Sequence, residues 1–446
     1  MGGTSERTQV VCGIDIGSTN LKIVALDRTG RVVARAKQTT ARNPADLSID
    51  AQAILDAIED MIIKACGSEY IVAGVASAGV GEDGVLVDGN RKPLGRALAW
   101  FDPRRTRLFE ALEPRLRASE GIGVTTNPSH TLIGWLWSSQ QDQSRNASAW
   151  SAITDFAACY WARKSFISDT LAARTAAWDV QTRTWLIDRV EMTLGSSELL
   201  PEVVRTGEAV GPLHSRRLSD AGVLANNAMV VAGGHDHPIG GWGVDQLHPG
   251  AILDSMGTAE VVVAQSPTIN VPHFPGCDVA PGILNQGSTL LAVTEFARNV
   301  QWISQDPAVA AAFEAIVSGR QRPDGYLHSD TFIPGGQGGA RPRYAADAPA
   351  APLSRASAVA GALARAGGAA ILSVASRMPT GAPIYVAGGW ARSQGWIDIK
   401  KTIIGTDVQV IPEPEVTAVG AALLAAHALN WNLPARIALS SPAGIP

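Results

Sequence analysis

Asp236 is the residue whose surroundings best equip it for chemistry. It follows an apolar run ending in glycines, Ala228 to Gly234 (AMVVAGG), and is flanked by His235 and His237. A carboxylate at the end of a buried strand lies where open α/β sheets gather their ligands, and there it can take the proton of a hydroxyl group. Two other readings stand beside this one. Asp236 can cap a helix beginning near Pro238, or His235, Asp236 and His237 can be metal ligands of a hydrolase. The metal reading needs a third or fourth ligand, and no further His or Cys cluster is near in the sequence.

Three other stretches suit phosphate or nucleotide. The turn Asp15 to Asn20 (DIGSTN) combines Gly17, Ser18 and Thr19 with a cation, Lys22, on the outgoing strand. Small residues leave backbone N–H groups open to phosphate oxygens. Asp254 to Glu260 (DSMGTAE) repeats the strand, small turn and strand around Gly257 and Thr258. Ala387 to Ser393 (AGGWARS) adds a strand ending in Gly388 and Gly389, where a flat ring can approach the backbone. Two such hairpins facing across a cleft can grip one polyphosphate. Neither a Walker A sequence nor a GxGxxG after a strand is present, which counts against P-loop and Rossmann phosphate binding.

The elements that must position these residues follow from periodicity. Val10 to Gly13 and Leu21 to Asp27 read as a hairpin, Ala51 to Cys66 as an amphipathic helix, and Tyr70 to Ala76 as a buried strand. Glu82 to Arg104 reads as a strand, a turn at Asp88 to Asn90, and a return strand ending in Trp100. Trp135, Trp137, Trp150, Trp161 and Trp178 read as packing. A strand pattern restarts at Ala251, so a domain boundary falls between Gly240 and Gly250. Beyond it come a loop at 345–352, a helix from about Ser354 to Met378, a strand at Ile384 to Ala387 and a helix at Thr417 to Leu429. Alternating helices and strands predict an α/β fold of two domains, residues 1–243 and 244–446.

In order along the chain stand GIDIGSTNLKIVALD, SAGVGEDGVLVDGNRKPLGRALAWFDPRR, DTLAART, GGHDHPIGG, DSMGTAE, NVQW and GGWARSQGW followed by EVTAVGAA. As a set these resemble the FGGY carbohydrate kinases of the actin-like ATPase superfamily. The resemblance implies two ribonuclease-H-like domains with the active site in the cleft between them. It implies ATP and Mg²⁺, a small-molecule sugar or polyol as acceptor, and room for a homodimer. It assigns the general base to Asp236 and acceptor contacts to Glu82, Trp100, Asp102 and His237. The nucleotide falls to Gly17, Ser18, Thr19, Lys22, Gly257, Thr258, Gln301, Gly388, Gly389 and Ser393, with Asp15 ordering waters around Mg²⁺. Trp100 as core and Asp102 as a cap are the alternatives. Two departures stand out: Gly79 and Val80 where many relatives have a Gly-Gln pair, and Gly367 and Gly368 where a late helix usually carries Glu-Gly. A chaperone or filament ATPase of the same superfamily would explain the hairpins, but not the convergence of Glu82, Trp100 and His237 on Asp236.

Composition agrees with this class. The 446 residues are 46% hydrophobic and 17% charged, enough for two or three cores. Lys and Arg number 37 against 41 Asp and Glu, for a net charge of -4 and a pI near 6.1, which offers no general attraction to nucleic acid. Cys12, Cys66, Cys159 and Cys277 are too scattered for a zinc or disulfide framework. The start, MGGTSERTQV, lacks a signal-peptide core, and Glu6 breaks the myristoylation pattern. No continuous apolar run reaches the roughly 18 residues of a membrane span, so the expected location is the cytoplasm and no membrane partner is expected.

Overall fold

The structure is a computed structural model that describes residues 7–116, 121–336 and 340–442. The opening residues 1–6 of the N-terminal segment read above lie outside the described residues. Apolar runs broken by short polar turns build two six-stranded sheets. In the first, β1 (Thr8–Ile16), β2 (Asn20–Asp27) and β3 (Val32–Thr39) form an antiparallel meander. On the other side of β1, β4 (Tyr70–Gly79) pairs in parallel; β5 (Ala209–Pro212) and β6 (Leu224–His235) complete the order β5-β6-β4-β1-β2-β3.

The second sheet repeats the plan. β7 (Ile252–Met256) and β8 (Ala259–Ser266) form its hairpin, and β9 (Asp278–Pro281) and β10 (Ser288–Glu295) extend it antiparallel. β11 (Ile384–Ala387) and β12 (Val408–Val410) add in parallel beside β7, giving β9-β10-β8-β7-β11-β12. Without the edge strands β5 and β9, each sheet is a three-stranded meander whose first strand is followed by two parallel neighbours. The central strands are buried on both faces, which is why β1 and β4 read as almost continuous small and apolar runs.

Helix α1 (Ala51–Cys66) starts at Asp50, whose carboxylate accepts the Ala53 N–H, and covers β2 and β3 with its apolar face. Four further helices matter for the site: α2 (Asp236–Asp245), α3 (Pro352–Ala375), α4 (Gln394–Ile404) and α5 (Val416–Ala428). Helix α2 follows the first sheet but packs on β7 and β8 of the second, while α5 follows the second sheet but packs on β1, β2 and β4 of the first. The approach of α5 is close: a Cβ on Gly13 of β1 would lie 1.8 Å from the Ala418 carbonyl oxygen. The two helices cross at Gly420, where a Cβ would lie 2.6 Å from the Ile239 carbonyl oxygen, so only glycine fits. Val11, Val24 and Leu26 of the first sheet join Leu253, Val261 and Val263 of the second through Ile239, Trp242, Val419 and Leu424 in one apolar cluster.

Most predicted elements stand within a few residues of their expected limits, but three readings change. The segment after Asp88 is not a return strand. β-Pairing of Gly84–Val87 is with Ala149–Ala152, while residues 91–100 join β-structure only as single bridges, Val87 to Pro93 and Ile49 to Ala97. Trp135, Trp150, Trp161 and Trp178 are packed inside, whereas Trp137 is partly exposed under Arg104. Helix α3 is long and apolar enough to cross a membrane by length and composition, although no unbroken apolar run in it reaches that length. Its mean hydropathy comes from alanines spread between polar residues, and 67% of its most apolar window is buried inside the protein. All four cysteines are buried and free.

Candidate active site

Strand β6 ends at His235 and α2 begins at Asp236, so the carboxylate stands in the first helical turn, where the helix dipole favours negative charge. Its Oδ1 accepts the His237 N–H at 2.7 Å and lies 3.3 Å from His235 Nε2 and 3.6 Å from His237 Nε2. The two imidazoles meet edge to face with centroids 5.5 Å apart. Burial pushes the Asp236 carboxyl up to about 7, against the His237 N–H and the charges of Arg174 and Lys22, which favour ionisation. Burial, reinforced by Arg174, pushes His237 down to about 4 and His235 well below its usual range. Both histidines are therefore neutral at pH 7. Among the described residues no three His, Cys, Asp or Glu side chains gather closely enough to hold a metal by themselves.

Glu82 faces this group from the loop after β4. Arg174 holds it through Nε at 2.9 Å and Nη2 at 2.7 Å from Oε1. The third guanidinium nitrogen, Nη1, binds Asp278 Oδ2 at 2.7 Å. Asp278 is on β9 in the second lobe, so this ion pair crosses between lobes beside Glu82. Backbone contacts line up with it: the Val279 N–H donates to the Gly123 carbonyl at 2.6 Å and the Leu284 N–H to the Thr206 carbonyl at 3.3 Å. The room for Arg174 comes from Gly81, where a Cβ would lie 2.8 Å from Arg174 Cγ.

In the first hairpin Asp15 lies opposite Lys22 in register, and Lys22 Nζ reaches Asp15 Oδ2 at 3.1 Å and Glu415 Oε2 at 2.8 Å. Glu415 immediately precedes α5, so the second half of the chain also reaches this hairpin. Burial raises Asp15, and the nearby charges of Asp236 and Glu415 raise it further against Lys22. The turn's carbonyls are occupied: Gly17 O accepts Thr40 Oγ1 at 2.7 Å, Ser18 O accepts Arg42 Nε at 3.0 Å, and Thr19 O accepts the Thr40 N–H at 2.9 Å. Trp100 is not core. Its indole Nε1 donates to Ser18 Oγ at 2.8 Å, which puts it against this turn. Asp102 takes the capping role: Oδ1 accepts the Arg104 N–H and Nε, and Oδ2 accepts Arg104 Nη2, at 2.8–2.9 Å. Arg105, 1% exposed, donates to the Leu98, Ala99, Ser129 and His130 carbonyls and pins the loop that presents Trp100.

The second hairpin carries Gly257 and Thr258 between β7 and β8. Nothing lies within 4 Å of where a Cβ on Gly257 would be, and the Thr258 carbonyl accepts the N–H of Ala297 at 2.9 Å. That bond ties the turn to the helix Ala297–Ile303, on which Gln301 is exposed. Gly388 ends β11 with φ +91, Gly389 faces open space, and Ser393 precedes α4 without a side-chain capping bond. Asp15, Lys22, Glu82, Asp236 and His237 thus form one group with Trp100 beside it, while Gly257, Thr258, Gln301, Gly388, Gly389 and Ser393 form a second on the other lobe. Arg174, Asp278 and Glu415 belong to the first group and were not singled out from the sequence. DTLAART and EVTAVGAA contain two of them, but nothing local marks their partners, which are 92 residues away for Arg174 and Glu82 and 104 for Arg174 and Asp278.

Two lobes of one topology, with small-residue turns at matching strand ends and helices exchanged between them, define the actin-like ATPase fold of paired ribonuclease-H-like domains. The profile of the FGGY family of carbohydrate kinases, N-terminal domain, matches residues 10–243. The chain belongs to that family and is a carbohydrate kinase. An L-fuculokinase of Escherichia coli (strain K12) is 26% identical over 327 residues, covering 68% of each chain. A xylulose kinase of Staphylococcus epidermidis (strain ATCC 35984) is 25% identical over 460 residues, covering 95% of this chain and 88% of the relative. Among solved structures, gluconate kinase from Lactobacillus acidophilus superposes with a TM-score of 0.82 at 16% identity, over 98% of this chain and 93% of the other. Plasmodium falciparum glycerol kinase with ADP gives 0.82 at 17% identity, over 98% and 94%.

Proposed function

We propose that the protein transfers the terminal phosphoryl group of Mg-ATP to a hydroxyl group of a sugar or polyol, with Asp236 as general base. The observation that carries this reading is Asp236 itself. It lies between the Lys22 hairpin and the Glu82–Arg174 pair, with its carboxyl poised near neutral pH, where a general base works best. In the transfer the acceptor oxygen bonds to the γ-phosphorus as the bond to the ADP oxygen breaks, and the hydroxyl proton passes to Asp236. Neutral His237 and the Arg174-held carboxylate of Glu82 orient the acceptor through hydrogen bonds. Trp100 covers an apolar face of the acceptor, and Asp102 supports it by ordering the loop with Arg104. Residues 1–243 then supply the acceptor site and the first phosphate hairpin, and residues 244–446 the nucleotide side. Gly17, Ser18, Thr19, Lys22, Gly257 and Thr258 hold phosphates, while Gln301, Gly388, Gly389 and Ser393 flank adenosine.

Magnesium fits the residues present. Asp15 and Glu415 share Lys22, and burial, with the nearby charges of Asp236 and Glu415, holds Asp15 above its usual range. Such a site suits a hard cation that keeps its waters and leans on substrate phosphates. When bound there, magnesium would neutralise phosphate charge, with Asp15 ordering its waters.

The relatives' names supply the acceptor panel: L-fuculose, xylulose, gluconate and glycerol, extended to other ketoses and polyols. ADP release above the acceptor-free rate with at least one compound is the expected result. Unaltered turnover in Asp236→Asn would remove Asp236 from the mechanism.

A further inference from the structure

Behind the second hairpin lies an ionic group that the proposed transfer does not use. Lys400 Nζ contacts Asp254 Oδ2 and Glu260 Oε1, and all three side chains are fully buried. Asp254 Oδ1 and Glu260 Oε2 have no hydrogen-bond partner. Burial, with Asp254 beside it, pushes Glu260 up to about 8. Burial therefore favours the protonated form of Glu260 beside the Lys400 ammonium. Burying such a group is a poor route to stability, because desolvation rivals the attraction and apolar replacements often do as well.

Its placement supplies a different reason. Asp254 is on β7 and Glu260 on β8, where Glu260 pairs with Met256, so the two acids grip the base of the hairpin whose tip is Gly257 and Thr258. Lys400 is on α4, two turns from the start of the helix, and that start follows directly on the Gly388 to Ser393 loop. The same helix holds Met256: Trp396 Nε1 donates to its sulfur at 3.1 Å, and Lys400 Nζ lies 3.7 Å from it. Gly388 presses its backbone on Met256, where a Cβ would be 2.4 Å from the carbonyl oxygen. Even the departure at Gly367 falls into place, since a Cβ there would lie 1.9 Å from Glu260 Oε1. The space that a side chain on α3 would fill is taken by a carboxylate from β8.

We infer that Lys400, with Asp254 and Glu260, is a positioning group that sets the phosphate turn at Gly257 and Thr258 against the adenosine-side loop at 388–393. This rests on the nucleotide role proposed for those two segments. The test is calorimetric titration of the full chain with Mg-ADP and with adenosine, for wild type and Lys400→Met. A second variant, Asp254→Asn/Glu260→Gln/Lys400→Met, removes the charges together and covers the case in which the single change fails to fold. In the variants Mg-ADP should bind about tenfold or more weakly, the scale of losing a support behind a ligand-contacting group, while adenosine affinity stays within about twofold. Equal losses for both ligands, or none for either, would overturn the inference, because a general packing role moves both together. A wild-type chain that binds no Mg-ADP would instead overturn the nucleotide assignment beneath it.

Discussion

At the scale of residues, the site turns on how burial divides protons between Asp236 and its two histidines. Asp236→Asn should lower kcat by about 10²–10⁴-fold while Mg-ADP still binds, checked by steady-state rates beside calorimetry. Because the base must be ionised, kcat/KM of wild type should fall as pH drops below about 7. Stability runs the other way. The folded carboxyl holds its proton up to about 7, whereas the unfolded one loses it near its ordinary value of 3.8. The folded state thus binds the extra proton between these limits, and stability from this group is complete at low pH and lost as pH rises through 7. Asp236→Asn removes that loss, so its melting temperature relative to wild type should rise from pH 5 to pH 8. A constant difference would contradict the assignment. The sequence showed Asp236 because an apolar strand delivers it to a cluster of glycines and histidines. It did not show Arg174 or Asp278, whose meaning lies in partners brought together only by folding.

Elements were legible where local pattern decides them. Both hairpins read correctly because a polar, small-residue turn between apolar runs permits little else, and the amphipathic α1 carries its own cap at Asp50. The stretch after Asp88 misled because its apolar residues pack on α1's approach and on the tryptophan layer, while the true partner of Gly84–Val87 lies at Ala149–Ala152. Pairing across such a gap leaves no mark on either segment. The exchange of α2 and α5 was equally hidden, yet it makes one sharp prediction. Gly420→Val would drive a branched side chain into the Ile239 backbone and should cost at least the roughly 1–3 kcal/mol of overpacking, read as a lower urea midpoint. Unchanged stability would mean that the helices do not cross there.

For the whole molecule, the resemblance of the motifs conveyed the two-lobed plan, while the way the lobes touch came only from the structure. Asp278 reaches across to Arg174 and completes the clamp on Glu82. Asp278→Asn should therefore raise the acceptor KM by about tenfold, the scale of one charge-assisted hydrogen bond, and leave Mg-ADP affinity unchanged. A weaker Mg-ADP complex with normal acceptor KM would place Asp278 on the other ligand. This prediction belongs to the lobes together, because neither contains both partners.

The helix exchange also bears on how the protein is made. β1 emerges from the ribosome long before α5, the helix that lies over it, so one greasy face of the first sheet must wait uncovered through much of translation. A chain stopped at residue 243 should bind a dye such as ANS and cling to chaperones, and residues 244–446 supplied afterwards should quench that binding by delivering the missing lid. Each half leaves one face of its sheet to a helix drawn from the other, so the first half's closing piece is still to be synthesised when its strands are complete.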